Sequence, residues 1–180
     1  PFDFAFPPER IAFLVDAGIS FFTISNNHTW DQGWQGVAQT RRHLSAIGVP
    51  FVGDVDSRIS DDSGAIFEWN GLRVAMIGVS EVYRIINDEA LDALVRRLDS
   101  QADLTIVNIH WGREYEHLPF DLQERRARAL VAAGADLIIG HHPHVLQGLE
   151  LVDGVPVIYS HGNFLFDQAF NDRVQEGMAT

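Results

Sequence analysis

Three times along the chain, an apolar stretch of helical period closes on a glycine and gives way to strand-like sequence. Leu14-Val15-Asp16-Ala17-Gly18, Leu44-Ser45-Ala46-Ile47-Gly48 and Leu130-Val131-Ala132-Ala133-Gly134 share this form. Glycine adopts the left-handed conformation that ends a helix without steric cost, so each reads as helix, cap, strand. The first helix opens at Pro7-Pro8-Glu9, where proline presets the first turn. The second is predicted over 33–47, with Val37, Thr40, Leu44 and Ile47 on one face. The third spans 120–133 and is polar on its other face. A fourth, over 89–98, turns Leu91, Leu94, Val95 and Leu98 inward.

Strands are predicted over 21–25, 65–69, 73–79, 104–109, 136–139, 148–151 and 156–159. Asn70-Gly71 predicts a type I′ hairpin, and Asp153-Gly154 a second hairpin. The continuous runs Leu104-Thr105-Ile106-Val107 and Leu137-Ile138-Ile139 predict central strands buried on both faces. Alternating strands and helices plus two hairpins predict one mixed α/β layered domain over 1–180, with 54–64 as a polar loop. The alternating Phe2, Phe4 and Phe6 are expected to pack against the body of the domain.

Composition narrows the function classes. A chain of 180 residues, 46% of them hydrophobic, can bury a sizeable core. No apolar run reaches the ~20 residues of a membrane helix. The opening Pro1-Phe2-Asp3-Phe4 has no Met, no basic n-region and no small-residue cleavage site, so it does not read as a signal peptide and is compatible with a mature N-terminus or an excised fragment. With 13 basic against 25 acidic residues the net charge is −12, which argues against a nucleic-acid partner and suits a protein that concentrates cations. The absence of cysteine excludes disulfides, thiolate zinc sites and cysteine nucleophiles.

The polar residues that matter fall at strand ends. Four predicted strands run directly into Asn26-Asn27-His28-Thr29-Trp30-Asp31, His110-Trp111-Gly112, Gly140-His141-His142-Pro143-His144 and Ser160-His161-Gly162-Asn163. Sites in α/β sheets form beyond the carboxyl ends of strands, and six of the eight histidines sit here. His142 and His144 flank Pro143, whose fixed backbone is expected to aim both imidazoles to one side, as a metal requires. His110, alone a candidate core histidine, joins them as a ligand. His141 alternates away and is expected to play a supporting part. Asn27 offers a carboxamide oxygen to a hard metal, His28 a proton for a leaving group, and Asp31 a hydrogen bond to that histidine. Asn26, Asn27 and Asp31 equally suit turn and cap chemistry before the helix at 33. Glu114 is an outer acid or a solvated loop charge. His43 reads as surface, and His117 lies nearer the candidate site.

Taken together, 26–33, 110–115, 140–145 and 159–164 resemble the bacterial capsule synthesis or poly-gamma-glutamate biosynthesis proteins of the calcineurin-like metallophosphoesterase superfamily. The resemblance runs from about residue 7 to 167. It implies a four-layer α/β/β/α sandwich with mixed sheets, incomplete at the N-terminus, and a centre for two divalent ions. Carried over, Asn27, His110, His142 and His144 become metal ligands, the last two serving one metal each, and His28 the general acid. Asp31 supports that acid, and Glu114, His141, His161 and Asn163 take supporting places. Histidine and asparagine donors suit Mn, Zn and Fe alike.

The chain departs from the family pattern in two ways. The Gly-Asp and Asn-Leu-Glu motifs that supply carboxylate ligands would lie upstream of residue 1, and His161 stands where the family has an apolar residue. The end, 177–180, reads as cut. Two divalent ions about 3.5–4 Å apart need anionic ligands, so the 180-residue chain, offering neutral ones, is expected to bind metal weakly. The resemblance implies hydrolysis of a phosphoester in a small-molecule or polymer substrate. It leaves two rivals: a non-hydrolytic part in synthesis or export of an anionic capsule polymer, and a surface binding module with a vestigial site. An extracellular or membrane-anchored location would depend on a segment outside the chain.

Overall fold

The computed structural model describes residues 4–179. Phe2 lies outside the described residues, while Phe4 and Phe6 stay largely exposed. A 3-10 turn at Pro8–Arg10 leads into α1 (Ile11–Asp16), β1 (Phe22–Thr23), α2 (Gly33–Ala46) and β2 (Phe51–Val52). Then come β3 (Gly64–Trp69), β4 (Leu72–Ser80), α3 (Asp88–Asp99), β5 (Leu104–His110), α4 (Asp121–Ala133), β6 (Leu137–His141), β7 (Leu146–Val152) and β8 (Val155–His161).

Six strands form one mixed sheet in the order β3-β4-β5-β6-β8-β7. β4, β5, β6 and β8 run parallel, and each edge is an antiparallel hairpin partner. Both hairpin turns take the left-handed pairs that type I′ demands: φ is 50° and 83° at Asn70 and Gly71, and 49° and 88° at Asp153 and Gly154. α3 and α4 cover one face. Asn87 caps α3 by accepting a hydrogen bond from the Ala90 N–H at 2.8 Å. Leu91, Leu94, Val95 and Leu98 of α3 meet Ala75, Ile77 and Val79 of β4, Val107 and Ile109 of β5 and Leu130 of α4. Each such fully buried aliphatic side chain stabilises the fold by roughly 1.5–3 kcal/mol.

On the opposite face, β1 and β2 form a short parallel pair, Phe22 beside Phe51 and Thr23 beside Val52. The pair lies against β4 where Gly78 leaves room: a Cβ there would stand 2.5 Å from Thr23 Oγ1 and 3.1 Å from Val52 Cγ2. α1 and α2 close its outer side through Ile11 and Leu44, which cluster with Ile24 just after β1 and with Val15, Phe22 and Phe51. Helices, small sheet, large sheet and helices make four layers. Among the described residues this is an α/β/β/α sandwich whose first sheet is two strands wide and parallel.

That narrowness corrects three expectations. The strand over 21–25 pairs at only two residues, with β2, which the hydrophobic pattern does not reveal. β5 and β6 are central, but only one face is fully buried and the other is partly covered. Thr105, Val107, Ile109 and Ile138 are fully buried, whereas Ile106, Asn108, Leu137 and Ile139 are half-buried. α2 buries Val37 and Leu44, while Thr40 and Ile47 face solvent because two short strands offer little to pack on.

Candidate metal centre

Parallel β5 and β6 end in register on His110 and His141. His110 Nδ1 lies 2.5 Å from His141 Nδ1, and His110 Nε2 lies 2.8 Å from Asn27 Oδ1. Without a metal, the contact with Asn27 is a hydrogen bond donated by Nε2–H; with the proton on Nδ1 and accepted by His141, the Nε2 lone pair and the Asn27 oxygen are both free to take a cation. The close approach of β6 to β8 beneath them requires Gly140: a Cβ there would collide with the Tyr159 carbonyl oxygen and with Trp111 Nε1.

The 26–31 loop separates turn chemistry from site chemistry. Asn26 Oδ1 accepts from the His28 N–H at 2.8 Å. Thr29 Oγ1 accepts from the Asn26 N–H at 3.1 Å and donates to the Ile24 carbonyl. Asn26 and Thr29 thus shape the turn and leave the Asn27 carboxamide to His110. Ser25 anchors the loop, its hydroxyl 2.8 Å from the Gly78 carbonyl oxygen. His28 Nδ1 lies 2.9 Å from Asp31 Oδ2, so Nε2 faces away, and the Phe4 ring meets the imidazole edge-on at 4.3 Å.

His142, His144 and Glu114 come together, with one ligand atom of each lying within 4.8 Å of the others. The loop is not the extended turn that Pro143 suggests. His142 and His144 sit at φ 107° and 60°, a left-handed backbone that costs a non-glycine residue about 1–3 kcal/mol. The Tyr115 N–H donates to the Pro143 carbonyl at 2.8 Å and ties the Glu114 loop to the histidine loop. Asn163 Nδ2 donates to the Val174 carbonyl at 2.8 Å, which turns Oδ1 toward His144 Nδ1, also at 2.8 Å. His144 Nδ1 therefore carries the proton and Nε2 the lone pair. The rings of His110 and His142 lie 4.8 Å apart, so the two groups adjoin.

Burial holds His110, His141 and His142 neutral, the form that ligates metal. Desolvation first, then the neighbouring histidines, push His110 well below its usual 6.5. Burial followed by the charge of nearby histidines lowers His141 and His142 to about 4. Burial also lowers His161, which lies close enough to His141 to depress it in turn. His142 Nδ1 and His141 Nε2 are buried with no hydrogen-bond partner among the described residues. A buried imidazole with an unpartnered nitrogen, grouped with a carboxylate and a second imidazole, is a residue set that fits a divalent cation.

Asp56 escapes sequence reasoning. It lies in the 54–64 loop and accepts from Ser80 Oγ at 2.7 Å and the backbone N–H groups of Val82, Tyr83 and Arg84 at 2.8–3.2 Å. Its charge raises the His142 pKa against the other influences, so it lies near the site. No motif or spacing marks it. His43 is half-buried and lines a 390 Å³ groove with His28 and Asp31, and His117 is exposed.

The model of the bacterial capsule synthesis protein PGA_cap matches residues 2–168. The chain belongs to this capsule synthesis family. It is 33% identical to the capsule biosynthesis protein CapA of Bacillus anthracis, over 90% of this chain and 44% of that protein. It is 32% identical to the PGA biosynthesis protein CapA of Bacillus subtilis strain 168, over 90% and 46%. The chain thus spans about half the length of these curated relatives. Its fold is shared with a hypothetical protein of Thermus thermophilus (TM-score 0.63, 20% identity, 86% of this chain and 57% of that one). A novel phosphatase of Mycoplasma pneumoniae (0.61, 20%, 86% and 54%) shares it too, as does a putative 5′-nucleotidase of Staphylococcus aureus (0.56, 22%, 82% and 33%). The chain therefore shares the sandwich fold of these structures, with its histidine loops at one sheet edge.

Proposed function

We propose that the chain carries the histidine-rich part of a metal-dependent phosphoesterase-type hydrolase that serves capsule polymer synthesis. One observation carries this reading. Asn27, His110, His142 and His144 come from three separate strand ends and meet at one edge as neutral donors. Asn27, His110, His142 and His144 would hold divalent ions, which when bound lower the pKa of water and offset charge on phosphate oxygens. The chain's own residues do the remaining work. Asn163 sets the tautomer of His144, and His141 that of His110. Asp31 holds the His28 ring through Nδ1, so His28 presents Nε2–H toward a leaving oxygen. Burial keeps His110 and His142 unprotonated at neutral pH.

The test is hydrolysis of bis(p-nitrophenyl) phosphate by the full-length protein with Mn²⁺. His142→Ala and His144→Ala are expected to lose nearly all activity together with bound metal. His28→Ala is expected to lose ~10²–10⁴-fold in kcat with metal content unchanged. A metal-loaded protein that hydrolyses no phosphoester sinks the hydrolase reading. The names of the relatives, both biosynthetic, favour a second reading: a non-hydrolytic part in polymer assembly. Loss of polymer in a His142→Ala strain, with no hydrolysis by the wild-type protein, would establish it.

A further inference from the structure

We infer that Glu114 is a metal ligand, and that with His142 and His144 it gives this chain a site for one divalent cation without any carboxylate from elsewhere. The inference rests on the metal reading above and sharpens it. Sequence alone left Glu114 as an outer acid or a loop charge, and counted the chain's ligands as neutral. The structure places its carboxylate with the two imidazoles inside a 4.8 Å envelope.

Three further features aim it there. Residue 115 is pinned to the histidine loop twice: its N–H bonds to the Pro143 carbonyl at 2.8 Å, and its ring stacks on His144 at 6.1 Å. Tyr115 itself takes φ 66°, a strained conformation that turns the preceding residue toward the pair. His142 is only 7% exposed, and its Nδ1 has no hydrogen-bond partner. A buried polar nitrogen without a partner is costly, and a cation held by the His142 ring would set which nitrogen keeps the proton.

The chemistry of the set is coherent. Two imidazoles and a carboxylate form a common site for Zn²⁺ and related ions, with positions left open for water. The single negative charge offsets half of the cation's, which the histidines cannot do. Ligand atoms around a tetrahedral ion stand about 3.4 Å apart at bond lengths of ~2.0–2.2 Å. Glu114 is exposed and has the rotamer freedom to close the remaining ångström or so.

Calorimetric titration of the 180-residue chain with Zn²⁺, and Co²⁺ absorption as a spectral readout, test this directly. The wild-type chain is expected to bind one ion. Glu114→Gln weakens that binding at least ~10-fold and alters the Co²⁺ spectrum, Glu114→Asp retains part of it, and His142→Ala abolishes it. His117→Ala, at a nearby exposed histidine, leaves it unchanged. Circular dichroism confirms that each variant is folded. Wild-type-like binding by Glu114→Gln overturns the inference, and so does a wild-type chain that binds no ion. Neither result touches the hydrolase reading, which stands or falls on the metal content and activity of the full-length protein.

Discussion

At the scale of single residues, the site rests on His110, His141 and His142, imidazoles that burial keeps neutral. His141 and His142 titrate near 4 when folded against about 6.5 when unfolded. Between those values the unfolded chain binds more protons, so stability rises with pH across that window and is lost as pH falls from 6.5 to 4. Ring-proton NMR of the metal-free chain is expected to show both histidines still neutral at pH 5.5. A titration midpoint near 6.5 for either would contradict the buried arrangement. Asn163 offers a second test at this scale. Its carboxamide, held by the Val174 carbonyl, turns the His144 ring. Asn163→Ala is expected to weaken Zn²⁺ binding ~10–100-fold while leaving the fold intact, as calorimetry would show. The candidate ligands themselves were legible in sequence, because histidines crowded at strand ends are hard to explain as surface. The nearness of Glu114 to the pair was not, because it depends on left-handed backbone at His142, His144 and Tyr115. Asp56 was invisible for a similar reason, its partners being backbone N–H groups that no side-chain pattern encodes.

At the scale of elements, the large sheet was readable and the small one was not. β3, β4 and the two hairpins follow from alternation and from Asn-Gly and Asp-Gly turns. Phe51 and Val52 form a strand too short to show any period, so β2 appears only as the partner of β1. Runs of apolar residues in β5 and β6 suggested two buried faces, but sequence does not report how wide the covering layer is. The contact between the layers gives a test. Gly78→Val would drive a side chain into Thr23 and Val52, lifting β1 and with it the Asn27 loop. It is expected to cost ~1–3 kcal/mol in urea unfolding and to weaken metal binding as well. Gly148, on the edge strand with nothing within 4 Å of a Cβ, is the control. Gly148→Ala is expected to stay within ~0.5 kcal/mol of wild type. Equal effects at the two glycines would mean that the small sheet does not depend on this contact.

At the scale of the whole molecule, one buried ionic cluster joins the helical layer to the site edge of the sheet. Arg126 of α4 pairs with Glu81 through Nη2–Oε2 at 2.9 Å and also reaches Asp88 at the start of α3. The side chains of Arg126 and Glu81 are 3% and 1% exposed, so neither charge has water to fall back on. Glu81 follows β4 directly, and its N–H donates to the His110 carbonyl at 2.9 Å. The cluster therefore holds the ends of β4 and β5 in line, and with them the strand end that presents His110. Desolvation of the guanidinium opposes its charge, but the hydrogen bonds to Glu81 and Asp88 outweigh it and raise the Arg126 pKa. Removing one partner leaves the other charge buried and unpaired, which costs ~3–5 kcal/mol. Arg126→Met is thus expected to lose about that much stability in urea unfolding, a large share of the ~5–15 kcal/mol typical of a domain. Converting both residues, Arg126→Met with Glu81→Leu, removes the stranded charge and is expected to cost clearly less than Arg126→Met alone. If the double variant is instead the less stable of the two, the cluster contributes net attraction and not merely mutual neutralisation.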